Sequence, residues 1–139
     1  MIKAISPGSV IQLYQTREKG EIAMKKYIGA DVHTKNTMYC VKDEEGNIVD
    51  MQRLPNDEVM AEEYLKLFGP EMVVGFESVT NWGWMADVVE RSGGVARMGH
   101  PLHLQKGKPR GKKTDGVDAE WMAELLRLNR RVLDEIPHL

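Results

Sequence analysis

Apolar positions change their period several times along this chain, and each change marks an element. KYIGADV (26–32) is a nearly continuous apolar run, as a strand buried on both faces requires. The turn-like HTKN separates it from TMYCVKD, a second strand. EEGN then forms a hairpin turn, with Gly46 and Asn47 suited to positive φ, and NIVDMQRL follows as a third strand. After Pro55 the period becomes helical, with Val59, Met60, Tyr64, Leu65 and Phe68 on one side. Asn56 or Asp57 is the expected N-cap and Gly69-Pro70 the stop. MVVGFE is a short apolar strand, a helix spans roughly 80–91, VARMGH is a fifth strand, and a last helix spans about 115–131.

The order β-β-β-α-β-α-β-α predicts an α/β fold, a mixed sheet with helices packed on it. Residues 1–24 show no sustained period and are expected to be a poorly structured extension. The folded domain is expected over 25–131. At 139 residues the chain suits a single core.

Composition adds little until it is read by position. Hydrophobic residues at 42% and charged residues at 29%, with a net charge of -2, are ordinary for a globular protein. Lys42 to Glu63 holds eight acidic residues against two basic ones, whereas Arg91 to Lys113 holds seven Lys or Arg and no acid. Such a basic run fits a polyanion-facing patch. The lone cysteine, Cys40, lies in a strand and reads as a small buried residue of a reducing compartment. No apolar stretch approaches a membrane span, and the start lacks a signal-peptide core, so a cytoplasmic location and no membrane partner are expected.

Four carboxylates stand out by where they fall. Asp31 ends the first strand and Glu77 ends the fourth, both inside apolar runs where a carboxylate is costly unless it is paired or holds a cation. Asp115 and Asp118 are three residues apart, about 60° around a helix axis. They could form a capping box at the positive end of the helix. Yet Met122, Leu125 and Leu126 follow Asp118 at +4, +7 and +8, which sets the carboxylates along the stripe that packs on the sheet. Carboxylates gathered at one sheet edge repel, and a divalent cation removes that penalty. Oxygen-only ligands favour Mg2+ or Mn2+. Two such ions about 4 Å apart support in-line displacement at phosphorus.

Weaker signals surround these. His33 reads as an exposed loop histidine, His100 and His103 are scattered, and no zinc spacing occurs. Ser78 lacks a nucleophile-elbow context. Trp82, Trp84 and Trp121 read as packing residues.

YIGADVHTKNTMYCVKDEEGNIV, VVGFES and KKTDGVDAEWMAELLR together resemble the N-terminal domain of the DEDD transposases, insertion-sequence recombinases related to the Piv and MooV DNA invertases. The most specific piece is K-T-D-x-x-D-A, Lys113 to Ala119. The resemblance implies an RNase H-like (RuvC-like) fold and a metal-binding catalytic tetrad at Asp31, Glu77, Asp115 and Asp118. It further implies breakage and rejoining of DNA, a guide RNA in the bridge-RNA type, and homo-oligomers. The basic loop with Lys106, Lys108, Arg110, Lys112, Lys113 and Thr114 would then bind nucleic acid. SVTNWGW is bulkier than the glycine-rich run of the family. Members continue into a C-terminal domain with a catalytic serine, so 132–139 is expected to start that region, and the chemistry to be incomplete without it.

Three other functions share parts of this pattern. A RuvC-like junction nuclease would use water as nucleophile. An actin-like or sugar-kinase ATP-binding half-domain would want glycine where Val32 and His33 stand. An inactive remnant would only bind nucleic acid.

Overall fold

The computed structural model describes residues 25–77, 82–99, 115–128 and 134–135. In chain order the elements are β1 (Lys26–Val32), β2 (Asn36–Lys42), β3 (Ile48–Pro55), α1 (Glu58–Lys66), β4 (Met72–Glu77), α2 (Trp82–Arg91), β5 (Val95–Gly99), α3 (Asp115–Leu128) and β6 (Asp134–Glu135). They build one mixed sheet in the order β3-β2-β1-β4-β5-β6. The first three strands pair antiparallel, β4 runs parallel to β1, β5 parallel to β4, and β6 antiparallel to β5. The two-residue β6 falls in 132–139, where the sequence shows no strand period.

Local chemistry explains the boundaries. The β2–β3 hairpin turns at Gly46, whose φ of 91° suits glycine, and the Asp43 carboxylate accepts from the backbone N–H groups of Glu45 and Asn47. Asp57, not Asn56, caps α1, its Oδ1 accepting from the Met60 N–H at 3.1 Å.

The sheet is covered on both faces. Ile28, Ala30, Tyr39, Val41, Leu54, Val74 and Phe76 meet α1 and α2 on one side, through Ala61, Tyr64, Leu65, Met85, Val88 and Val89. On the other side, among the described residues, α3 is the covering helix. Met122, Leu125 and Leu126 pack on Tyr27 and Val73, while Ala119 and Ala123 pack on Cys40. The stripe read from Asp118 therefore does face the sheet.

Gly29 fixes how close α3 comes. A Cβ there would fall on the carbonyl oxygen of Ala119 and lie 2.7 Å from the backbone nitrogen of Ala123. Four charged side chains then tie α3 to β2. Lys42, with 7% of its side chain exposed, reaches Glu124 at 3.3 Å and Glu120 at 3.4 Å, and Arg127 donates to both Glu124 oxygens at 2.8 Å. The bonds from Arg127, joined by Lys42, hold the Glu124 carboxyl down to about 2. Burial pushes the Cys40 thiol up to about 12, in keeping with an inert core residue.

Candidate active site

Register brings the first two carboxylates together. Tyr27, Ile28 and Gly29 stand level with Val73, Val74 and Gly75 across the parallel β1–β4 pair. The same offset carried two residues on sets Asp31 level with Glu77, at the carboxyl ends of adjacent central strands. Side chains alternate along a strand. Ile28 and Ala30 point to the α1–α2 side, so Asp31 points with Tyr27 to the α3 side. Glu77 follows Val73 to that side in the same way.

The helix supplies the other two. Ala119 and Ala123 lie over Gly29, while Leu125 and Leu126, further along α3, pack on Tyr27. Hence α3 runs antiparallel to β1, and its start points to the carboxyl edge of the sheet. Asp118 directly precedes Ala119, and Asp115 lies three residues earlier still, a rise of about 4.5 Å. Gly29 to Asp31 spans roughly 7 Å of strand, so the start of α3 reaches the level of Asp31 and Glu77. Asp115 is already helical, within the first turn, so it is not the outside cap that its spacing suggested. Its side chain lies outside the described residues.

Asp31, Glu77 and Asp118 are all half-buried. Among the described residues, no three His, Cys, Asp or Glu side chains are grouped closely enough to hold a metal ion. The donor set is nonetheless made only of oxygen ligands, the chemistry that hard divalent cations take.

One contact at this edge has no forecast in the sequence pattern. His33 Nε2 lies 3.0 Å from Asp31 Oδ2, with 46% of the His33 side chain exposed and 18% of Asp31. The only prior signal was their spacing of two residues. Gly29 was likewise unmarked, although small Ala119 and Ala123 four residues apart hint at a close helix.

The basic residues Lys106, Lys108, Arg110, Lys112 and Lys113, with Thr114, lie outside the described residues, as do His100 and His103. Trp84 packs against the α1–α2 core and Trp121 against the α3 cluster, as expected of packing residues. No helix among the described residues is long and apolar enough to cross a membrane.

Comparison with known proteins follows this geometry. The Thermus thermophilus RuvC structure in complex with a Holliday junction substrate is similar, with a TM-score of 0.61 at 12% identity, over 81% of this chain and 99% of that one. A second T. thermophilus RuvC structure gives a TM-score of 0.58 at 10% identity, over 81% of this chain and 100% of the other. These likenesses establish the RuvC-like, RNase H-like fold expected from the element order. No curated protein matches the chain. The DEDD family model of the IS110 type, described as a transposase, matches residues 28–138. The chain thus belongs to the DEDD transposase family of the IS110 type.

Proposed function

We propose that the carboxyl edge of β1 and β4, capped by the start of α3, is a divalent-metal site for phosphodiester breakage and rejoining in DNA transposition. The observation that carries this is the parallel β1–β4 register, level through Gly29 and Gly75, which extended two residues brings Asp31 and Glu77 to one end of the face that α3 covers, where α3 also begins. Asp31, Glu77, Asp115 and Asp118 would hold Mg2+ or Mn2+. When bound, such an ion polarises a phosphoryl oxygen and neutralises charge developing at phosphorus.

The chain's own residues prepare that edge. Asp31, Glu77 and Asp118 are partly withdrawn from water at this edge, and carboxylates drawn closer together there would repel one another without a cation. Such an edge gains most from a small, doubly charged ion. Lys42, Glu124 and Arg127 hold α3 in register, so Asp118 is carried by a rigid element rather than by a loop. DNA is the proposed substrate, with the loop from Lys106 to Thr114 binding its phosphates. A guide RNA and a homo-oligomer are proposed partners, by membership of the family.

A junction nuclease is the second reading, favoured by the similarity to RuvC with its Holliday junction substrate. The two differ in the product. A transposase domain rejoins strands within a complete recombination assembly, whereas a nuclease leaves cut ends.

Titration of Mn2+ into the protein, followed by calorimetry and by thermal melting, tests the site. Binding that raises the melting temperature, and that Asp118→Ala abolishes, is expected. Absence of Mn2+ binding, or binding that Asp118→Ala leaves unchanged, would falsify the metal-site assignment.

A further inference from the structure

We propose that His33 is a positioning residue for the Asp31 carboxylate, held in place by Asn56, and that it sets the affinity of this edge for a divalent cation. The inference rests on the metal-site reading above and adds to it a residue outside the four carboxylates.

His33 follows β1, and its Nε2 approaches Asp31 Oδ2 at 3.0 Å. A histidine this exposed would ordinarily sample several rotamers and give little orientation to its neighbour. Here the backbone that carries it is tied down. The His33 N–H donates to the Asn36 carbonyl at 2.8 Å, closing the turn between β1 and β2. Asn56, at the far end of β3, then grips the same turn at three points. Its Nδ2 donates to the His33 carbonyl at 2.6 Å, its backbone N–H donates to the Lys35 carbonyl at 2.9 Å, and its Oδ1 accepts from Thr37 Oγ1 at 2.7 Å.

Asn56 has no other evident task. The capping of α1 is done by its neighbour Asp57, so its amide is not needed for the helix. Thr37 is fully buried, which anchors the clamp in the core rather than in solvent. The chain of contacts runs from buried Thr37 to Asn56, to the His33 backbone, and through the imidazole to Asp31.

Its consequence is chemical. A carboxylate offers about four acceptor sites on its two oxygens. An imidazole N–H on Oδ2 selects one rotation of the Asp31 carboxylate plane and leaves acceptor capacity for a cation. What the contact asks of the ring is a hydrogen on Nε2. Partners that orient a ligating carboxylate in this way are typically worth about 10- to 100-fold in metal affinity.

The test is Mn2+ binding by the full chain, read by electron paramagnetic resonance or calorimetry, with metal-free thermal melts beside it. His33→Ala is expected to weaken Mn2+ binding by about 10-fold or more while leaving the metal-free melt unchanged. His33→Gln, whose amide can donate to Oδ2, is expected to recover most of the loss, and Asn56→Ala to show part of it. Equal or tighter binding by His33→Ala, while Asp118→Ala abolishes binding, overturns this proposal alone. A loss that tracks a lowered metal-free melt and is not rescued by glutamine also overturns it, since His33 would then be merely structural. No Mn2+ binding by the unsubstituted protein overturns the metal site and this proposal together.

Discussion

The carbonyl oxygen of Ala119 on α3 occupies the space that any side chain at Gly29 on β1 would need. Helix and strand meet there at backbone contact, and the same contact sets how far the start of α3 reaches over the sheet edge. Gly29→Ala therefore forces α3 away from β1. A destabilisation of about 1–3 kcal/mol is expected by denaturant unfolding, the usual range for overpacking a tight core. Mn2+ affinity should fall with it, because Asp118 is displaced with the helix. A neutral Gly29→Ala would show that α3 shifts freely and does not fix the site.

The Glu124 cluster makes an acid-sensitive tie between α3 and β2. Its folded carboxyl titrates near 2, against an ordinary value of 4.5, chiefly through the hydrogen bonds of Arg127 and with the help of Lys42. A depressed folded value means that the unfolded chain binds the proton first. The stabilisation is therefore complete above about pH 4.5 and drains away as pH falls toward 2. Comparing unfolding of the unsubstituted protein and Glu124→Gln at pH 7 and pH 3 checks this. The variant should be clearly less stable at pH 7, with the gap shrinking at pH 3; a gap independent of pH would contradict it.

Two tyrosines in the α1–α2 core should respond in opposite ways to loss of the hydroxyl. Tyr64 donates to Asp50 Oδ2 at 2.9 Å, whereas the Tyr39 hydroxyl is buried without a hydrogen-bond partner. Thr37 Oγ1, which donates to Asn56, lies beside it and partly offsets the effect of its burial, but does not complete a well-formed hydrogen bond. The rings stay in contact at 5.2 Å either way. Tyr64→Phe should cost about 1–2 kcal/mol, as a bond to a charged acceptor is lost. Tyr39→Phe should be nearly neutral or stabilising, because it removes a desolvated group that gains little in return. Thermal melts of the two variants decide, and equal losses would refute the contrast.

How much of this was legible in the sequence depends on the range of each interaction. The stripe from Asp118 through Met122, Leu125 and Leu126 is local, so helical period alone gave the face that packs on the sheet. Asp31 and Glu77 were visible because a carboxylate ending an apolar strand is costly. Their level register was not, since it requires β4 to join β1 rather than β3, a pairing set by the crossover through α1. Lys42 carried no signal of burial in the sequence, and its burial depends on Glu120 and Glu124 some eighty residues away. The bond from His33 to Asp31 depends on Asn56, twenty-three residues further on, and no period encodes that clamp.

The basic run Lys106, Lys108, Arg110, Lys112 and Lys113 lies directly before the helix that carries Asp115 and Asp118. If it guides the DNA backbone into the carboxylate edge, its contribution should be electrostatic and largely indifferent to sequence. Each phosphate neutralised releases condensed counterions, so log K falls with log salt at about 0.9 per contact on duplex DNA. Replacing Lys108, Arg110 and Lys112 together with alanine should make that slope shallower by up to about 2.7, with the loss greatest at low salt. Affinity for unrelated duplexes should drop by a similar factor, because no base contact is removed. Asp118→Ala, by contrast, should leave the slope nearly unchanged in metal-free buffer, since it alters the edge and not the loop. Fluorescence anisotropy on two unrelated duplexes across a salt series measures both quantities. A slope unchanged by the triple substitution would remove the loop from the DNA interface.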